Sequence, residues 1–309
     1  MSIRVNKSHQ GVLLQDFGRF GQAHIGVTTG GPADTYAYSW ANKLLNNPIN
    51  SSVIEMTLGQ ASFTVQQSTW FAISGADLNA TLDTQPLQNW SSFYAMKGQV
   101  INFKLPRNGL RGYLAVSGGF AAPDTLGSAS TVVRDKLGGL RGNGSSIGTG
   151  DELAFRTKIS RSDYSTQSVS FRFVPDYNRP IHLRIIPGYQ VKQFSPAALN
   201  HFYQQEYIVS KDSNRMGYRF EGHGIDAPNQ GILSEGLALG SIQITPDGLP
   251  IVMLCDHQTI GGYPKVGCVS QVDLPRLGQA RPGQSVYFQP GVLKELQAAW
   301  CQWALFFGY

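Results

Sequence analysis

The densest group of side chains able to do chemistry lies in the second half of the chain. It comprises Arg215 and Arg219, then Ser234 and Glu235, then Gln243, and finally the run from Asp256 to Pro264, with His257, Gln258, Gly261, Gly262 and Tyr263. Two arginines at an even spacing on an extended segment face the same side, and paired guanidinium forks can grip a planar carboxylate or a carboxylated ureido group. Glu235, Gln243, Gln258 and Tyr263 could complete a polar pocket beside them. A structural alternative is a buried ion-pair network of Arg215, Arg219 and Glu235 between strands. His257 next to Asp256 suggests a general base, but neighbours along a strand face opposite ways, which weighs against their pairing.

Two glycine-rich clusters precede this one. The first runs from Leu14 to Gly21, carries Asp16 and Arg19, and continues through Gly26 to the stretch from Thr29 to Asp34. Glycines that tolerate positive φ bring backbone N–H groups and polar side chains onto one compact loop, which can form an anion-binding concavity. No Gly-Lys-Ser/Thr follows, so it is not a P-loop. The plainer alternative is that Asp16 and Arg19 pair to hold a turn while Asp34 caps a helix. The second cluster is Leu126 to Thr131, with Ser128 and Ser130, followed by Gly138 to Gly142 and Thr149 to Asp151. Its hydroxyls could donate to a substrate carboxylate or phosphate, or serve as turn and cap residues. Ser130 has no histidine near it in sequence, so a Ser-His-Asp reading is weak.

The elements that must position these residues are mostly strands. Ile101, Phe103 and Leu105 alternate with Asn102 and Lys104, Ile181, Leu183 and Ile185 with His182 and Arg184, and Ile242 and Ile244 flank Gln243. This period of two reads as half-buried strands. Asp34 can cap a helix bearing Ala37, Ala41, Leu44 and Leu45, and Ser195-Pro196 can start another to about Tyr203. From Val292 onward, Leu293, Leu296, Trp300 and Trp303 recur at helical spacing, as in a helix docked on a core. The chain turns polar between Arg156 and Pro180, which places a domain boundary near residue 170. Glycine-glutamine pairs at Gly98 and Gly283, each opening an alternating strand, suggest an internal duplication.

Composition narrows the function classes. The 309 residues include 35 glycines, 41% hydrophobic and 15% charged residues, an ordinary turn-rich chain for one large or two medium domains. The formal charge of +5 is not gathered into a basic run, so nucleic acid is not an expected partner. No apolar stretch suggests a signal peptide or a membrane span. Cys255, Cys268 and Cys301 form neither a disulfide framework nor a zinc knuckle, each lies in an apolar stretch that suggests burial, and a reducing cytoplasm fits. The histidines show no ligand spacing, and no metal is expected. Met96-Lys97 echoes a biotin-accepting turn, but Gly98 follows where a second methionine is required, so Lys97 reads as a surface lysine.

Together, the three clusters resemble the carboxyltransferase subdomain family once called allophanate hydrolase subunit 2. The resemblance runs from about Gly11 to Phe288 and is carried by Gln15 to Gly21, Leu126 to Thr131, Ser213 to Gly217, and Gln258 to Pro264. It implies an all-β fold with few helices, built as two tandem cyclophilin-like β-barrels: residues 1–170, and residues 171–309 with the terminal helix. Family members occur within urea carboxylase, as stand-alone partners of a histidine-kinase inhibitor, and as the C subunit of bacterial 5-oxoprolinase. With no biotin-attachment sequence or ATP-grasp domain in this chain, the stand-alone settings are favoured.

The implied role is a cytoplasmic subunit, inactive alone, in the ATP-dependent opening of 5-oxo-L-proline to L-glutamate. The small, kinase-inhibitor-like B subunit of 5-oxoprolinase would supply the facing half of the site, and its larger A subunit would complete the reaction. ATP is implied for the complex without a fixed site, and no biotin is attached to this chain. The alternatives are a biotin-dependent carboxyltransferase subunit and a regulator that antagonises a kinase inhibitor. Charge develops on oxygen in both chemistries, which is where arginines and oriented donors act. The resemblance accordingly implies anion binding by Arg215 and Arg219, proton handling by Glu235 or Asp34, and orientation by Gln258 and Tyr263. Gln243, Asp16, Arg19 and Ser130 are further substrate-binding candidates.

Overall fold

The computed structural model describes residues 1–156, 164–228 and 232–309, so part of the polar connection expected after Arg156 lies outside the described residues. Strands carry the fold, as the alternating patterns require: twenty strands against four α-helices among the described residues. The chain divides into two compact units, Met1–Phe20 with Gly30–Asn178 and Phe307–Tyr309, and Gly21–Thr29 with Arg179–Phe306. The main switch falls after Asn178 rather than near residue 170. Two short segments also belong to the unit distant from them in sequence. Thr28 donates from Oγ1 to the His257 carbonyl at 3.2 Å, and Tyr309 sets its ring 4.7 Å from that of Phe17.

The first unit contains β1 (Ser2–Lys7), β2 (Val12–Gln15), α1 (Thr35–Lys43), β3 (Val53–Thr57), β4 (Ser62–Val65), β5 (Thr69–Gly75), β6 (Thr81–Leu82), β7 (Gln85–Pro86), β8 (Ser91–Ala95), β9 (Val100–Asn102), β10 (Arg111–Val116) and β11 (Glu152–Ala154). They form two sheets, ordered β11-β1-β4-β9-β6-β7 and β2-β3-β10-β5-β8, rather than one closed barrel. The second sheet is covered on both faces. Ile54, Phe71, Ile73, Leu114 and Val116 meet Ile3, Phe63 and Ile101 of the first sheet. Val53, Trp70, Ala72, Tyr113 and Ala115, the alternate positions, pack with Tyr38, Trp40 and Ala41 of α1. Period-two geometry makes this division, and double coverage explains why β5 and β10 are buried at every residue. Asp34 caps α1 as expected, accepting from Ala37 N at 2.8 Å. The alternation at 101–105 ends early: Phe103 is buried but Leu105 is exposed.

The second unit contains β12 (Ile181–Pro187), α2 (Pro196–Gln204), β13 (Tyr207–Val209), β14 (Gly217–Glu221), β15 (Glu235–Gly236), β16 (Ser241–Ile244), β17 (Pro250–Met253), β18 (Ile260–Gly261), β19 (Lys265–Val269), α3 (Leu274–Leu277), β20 (Ser285–Pro290) and α4 (Leu293–Phe307). Seven of the strands close a barrel in the order β12-β19-β16-β17-β14-β13-β20. A ring of seven cannot alternate direction throughout, and the parallel neighbours are β12 and β20. Leu183, Ile185, Ile242, Ile244, Val252 and Phe288 fill the interior, which α2 closes by stacking Phe202 on Phe288 at 4.7 Å. Ser195 caps α2 through Ala198 N.

Two expectations change. β16 is buried on both faces because β15 and β18 form a small two-stranded sheet whose Gly261 lies against the Gln243 side chain. The terminal helix exists, but among its residues only Leu296 is fully buried, and Leu293 and Leu305 are exposed.

The cysteines also separate. Cys255 is buried and Cys268 half-buried, whereas Cys301 is exposed on α4, contrary to the burial its apolar setting suggested. Burial pushes the Cys268 thiol up to about 11, so it is a poor nucleophile at neutral pH. A thiol-specific chromogenic reagent is therefore expected to titrate one cysteine, Cys301, quickly in the native protein and the other two only on unfolding. Rapid modification of Cys268 would overturn this assignment.

Candidate functional site

In the first unit the glycine-rich clusters interlock. The Asp16 carboxylate accepts from Gly18 N at 3.1 Å, Ala129 N at 2.6 Å, Ser128 Oγ at 2.5 Å and Ser130 Oγ at 2.6 Å. Arg19 is 1% exposed and donates to the carbonyls of Thr125, Ser128 and Ser130. Gly138 has φ +66°, and a Cβ there would lie 1.9 Å from the Ser130 carbonyl, so only glycine lets the two loops close. Asp16, Arg19 and Ser130, read from sequence as substrate-binding candidates, are thus buried and engaged with one another's loops. The geometry makes them a fastener rather than an open anion site.

Asp34 is equally committed. It is fully buried, and besides capping α1 it accepts from Tyr177 Oη at 2.9 Å, while its own N–H donates to Tyr113 Oη. Tyr113 in turn donates to Glu55, its register partner on β3. Burial first, then the neighbouring Glu55 and Asp34 charges, push the Tyr113 hydroxyl well above its ordinary range, so it remains a donor. A buried carboxylate with these partners holds the α1 end of the sheet in place.

In the second unit the two arginines part company. Arg215 precedes β14 and makes a two-pronged pair with Asp256, Nε to Oδ2 at 2.8 Å and Nη2 to Oδ1 at 2.9 Å. Both side chains are nearly buried, at 11% and 7% exposure. Arg219 lies within β14 and is exposed. The common anion grip expected from their spacing is therefore not formed, because Arg215 lies outside the strand and bends to a carboxylate. The Nδ1 of His257 lies 2.7 Å from the Gln258 carbonyl. Gln258 is half-buried beside it.

Glu235 has the most suggestive setting. Its Oε1 pairs with Lys265 Nζ at 2.6 Å and accepts from Gln190 Nε2 at 2.8 Å, and its Oε2 accepts from Tyr189 Oη. Partial desolvation raises its pKa, but the Lys265 and Tyr189 hydrogen bonds, the Lys265 charge and the Gln190 amide outweigh it, and the net shift is downward. An efficient general base titrates near the working pH, so this carboxylate is better suited to act as a fixed anion than as the proton shuttle the sequence suggested. The hydrogen bond to Glu235 raises the Tyr189 phenol, which stays neutral.

Tyr189, Gln190 and Lys265 belong to none of the motifs read from sequence. Lys265 directly follows Tyr263 and Pro264, whereas Tyr189 and Gln190 sit in a short 3-10 turn with no motif. A groove of about 960 Å³ is lined by Tyr263, Pro264, Ile244, Thr245, Asp226 and Asp247 among others, and Glu235, Lys265, Gln190 and Tyr189 lie outside its lining. Tyr263 is 43% exposed, and its carbonyl accepts a long 3.4 Å bond from the buried Gln243 amide. Of the candidates, Tyr263 lines the groove, Glu235 keeps a side chain 29% exposed outside it, and Gln243 is buried behind Tyr263.

The carboxyltransferase domain family, subdomains A and B, matches residues 25–290. The chain belongs to this family. The matched span begins after the run from Gln15 to Gly21, so that part of the resemblance lies outside it. Among curated members, the C subunit of 5-oxoprolinase from Haemophilus influenzae is 33% identical over 91% of this chain and 89% of its own length. The Escherichia coli protein of the same name is 33% identical over 95% and 92%. Urea amidolyase of Saccharomyces cerevisiae is 28% identical over 90% of this chain but only 16% of its own. The crystal structure of Kluyveromyces lactis urea carboxylase superposes with a TM-score of 0.87 at 25% identity, covering 96% of this chain and 28% of that one. The mostly-β fold expected from the resemblance is thus the family's fold. Among the described residues, no helix is long and apolar enough to cross a membrane.

Proposed function

We propose that this chain is a subunit of an ATP-dependent 5-oxoprolinase that opens 5-oxo-L-proline to L-glutamate with partner subunits. The observation that carries this reading is the 33% identity to the C subunits of two bacterial 5-oxoprolinases, nearly end to end on both sides. In the reaction the lactam C–N bond breaks, the oxygen of water joins the ring carbonyl carbon, and the nitrogen leaves as the amino group of glutamate. The groove beside Tyr263 is large enough for a five-membered ring and has a polar rim. Phosphate groups need cationic or N–H clamps, yet Arg215 is taken by Asp256 and Arg19 by three carbonyls. Those two committed arginines support the reading that ATP is bound by a partner subunit. The decisive assay measures ATP-dependent glutamate release by the mixed subunits. Omitting this chain is expected to reduce release to background; release that persists without it would overturn the reading.

A second reading is biotin-dependent carboxyl transfer, favoured by the likeness to urea carboxylase. A carboxylated ureido ring and a lactam both present a planar N–C=O group, so one groove suits either. In this reading too the biotin would be carried elsewhere, since Lys97 sits before Gly98 at φ +91° and lacks the second methionine. Avidin-sensitive carboxyl transfer that needs this chain and ignores 5-oxoproline would favour this second activity.

A further inference from the structure

We propose that Glu235 is the acceptor for the N–H of a planar cyclic amide or urea, and that Lys265 and Gln190 are the residues that position its carboxylate for that task. The proposal rests on the reading above and places N–H recognition at Glu235, which lies outside the lining of the groove beside Tyr263. A carboxylate has about four acceptor directions. Oε1 already receives Lys265 and Gln190, while among the described residues Oε2 receives only Tyr189. The Glu235 side chain is 29% exposed, which leaves its carboxylate open to a further donor.

The pair is partly buried, with the Lys265 and Glu235 side chains 12% and 29% exposed, and it is braced by a glutamine only 4% exposed that is fixed at both ends. Gln190 Nε2 donates to Glu235, and its Oε1 accepts from Lys265 N at 2.7 Å. Lys265 Nζ also donates to the Gly236 carbonyl at 3.2 Å and stands 5.5 Å from the Tyr189 ring centre. Two of its three N–H donors are taken by Glu235 and the Gly236 carbonyl, an arrangement suited to positioning Glu235. Because Lys265 neutralises the pair, a second cation would gain little there, whereas a neutral N–H adds a hydrogen bond to a charged acceptor.

The titratable groups that face Glu235 are Lys265 from β19 and Tyr189 from the turn; Gln190 does not titrate, and the paired residues of β18 are Ile260 and Gly261. A depressed folded-state pKa means that the acceptor is charged at neutral pH and is lost only as pH falls through that lowered value. Removing Lys265 must move this loss to higher pH.

The test has two arms. In the first, ligand-observed NMR titrates the full chain, without ATP or partners, with 2-pyrrolidinone and with N-methyl-2-pyrrolidinone. The wild type is expected to prefer the N–H compound by about tenfold, and a Glu235→Leu protein with an unchanged circular dichroism spectrum is expected to lose the preference. Equal binding of the two compounds, no binding of either, or an unchanged preference in the variant overturns the proposal. In the second arm, the acid limb of kcat/KM for the reconstituted complex is expected to shift to higher pH in Lys265→Met and to return in Lys265→Arg. An unmoved limb overturns the positioning role. Because the first arm uses no turnover, N–H preference in a chain dispensable for glutamate release would uphold the acceptor while overturning the oxoprolinase reading. Its absence in a chain required for release would do the reverse.

Discussion

Asp256→Ala is expected to destabilise the second unit by about 3–5 kcal/mol, the usual cost of stripping one partner from a buried ion pair. The Arg215 guanidinium would remain near-buried at 11% exposure, its two short bonds to Asp256 lost. Chemical denaturation measures the change, and tryptophan fluorescence can assign it. Trp300 and Trp303 lie in the second unit, while Trp40, Trp70 and Trp90 lie in the first. The variant should lower the transition seen by the α4 tryptophans. An Arg215→Met, Asp256→Leu double variant should recover much of the loss, because apolar residues of similar volume can replace a buried pair. A loss below about 1 kcal/mol in Asp256→Ala, within the range of an exposed pair, would show that Arg215 is not held by this partner and is available to an anion.

Asp16→Ala should cost the first unit about 3–6 kcal/mol. Four donors point at this carboxylate, and a buried donor left without its acceptor costs about 1–3 kcal/mol, with part of the sum relieved by local movement. Asp16→Asn, which keeps one carbonyl oxygen, should cost less. The readout is the denaturation midpoint followed by Trp40, Trp70 and Trp90, mutated one at a time to phenylalanine to remove any single-probe artefact. If Asp16→Ala unfolds like the wild type but abolishes glutamate release by the complex, the fastener assignment is wrong and Asp16 acts on a substrate.

Several features were legible in the residues alone. The period-two run at 181–185 located β12, since alternation is forced by the pleat of any strand with one face in a core, and Ile242 and Ile244 about Gln243 located β16 although both of its faces are buried. The caps at Asp34 and Ser195 located α1 and α2, because a side-chain oxygen satisfying a free N–H is a local event. The motif runs marked the family, since each combines glycines and polar side chains at fixed offsets.

What the chain order could not decide is which polar groups meet. Arg215 and Arg219 have an even spacing, but only the barrel register that brings Asp256 beside Arg215 reveals that one arginine is consumed and the other exposed. Asp16 and Asp34 read the same as Glu235 in sequence; burial among four donors and a helix end makes the first two structural, while Glu235 keeps an accessible edge. Tyr189 and Gln190 reach Glu235 across more than forty residues of chain, a separation that no local pattern spans. Local backbone preferences are written residue by residue, so the strands, the caps and the family could be read from residue order. The protonation, burial and company of a charged side chain depend on atoms brought close only by folding, so the tertiary structure alone decided which carboxylate can still meet a ligand.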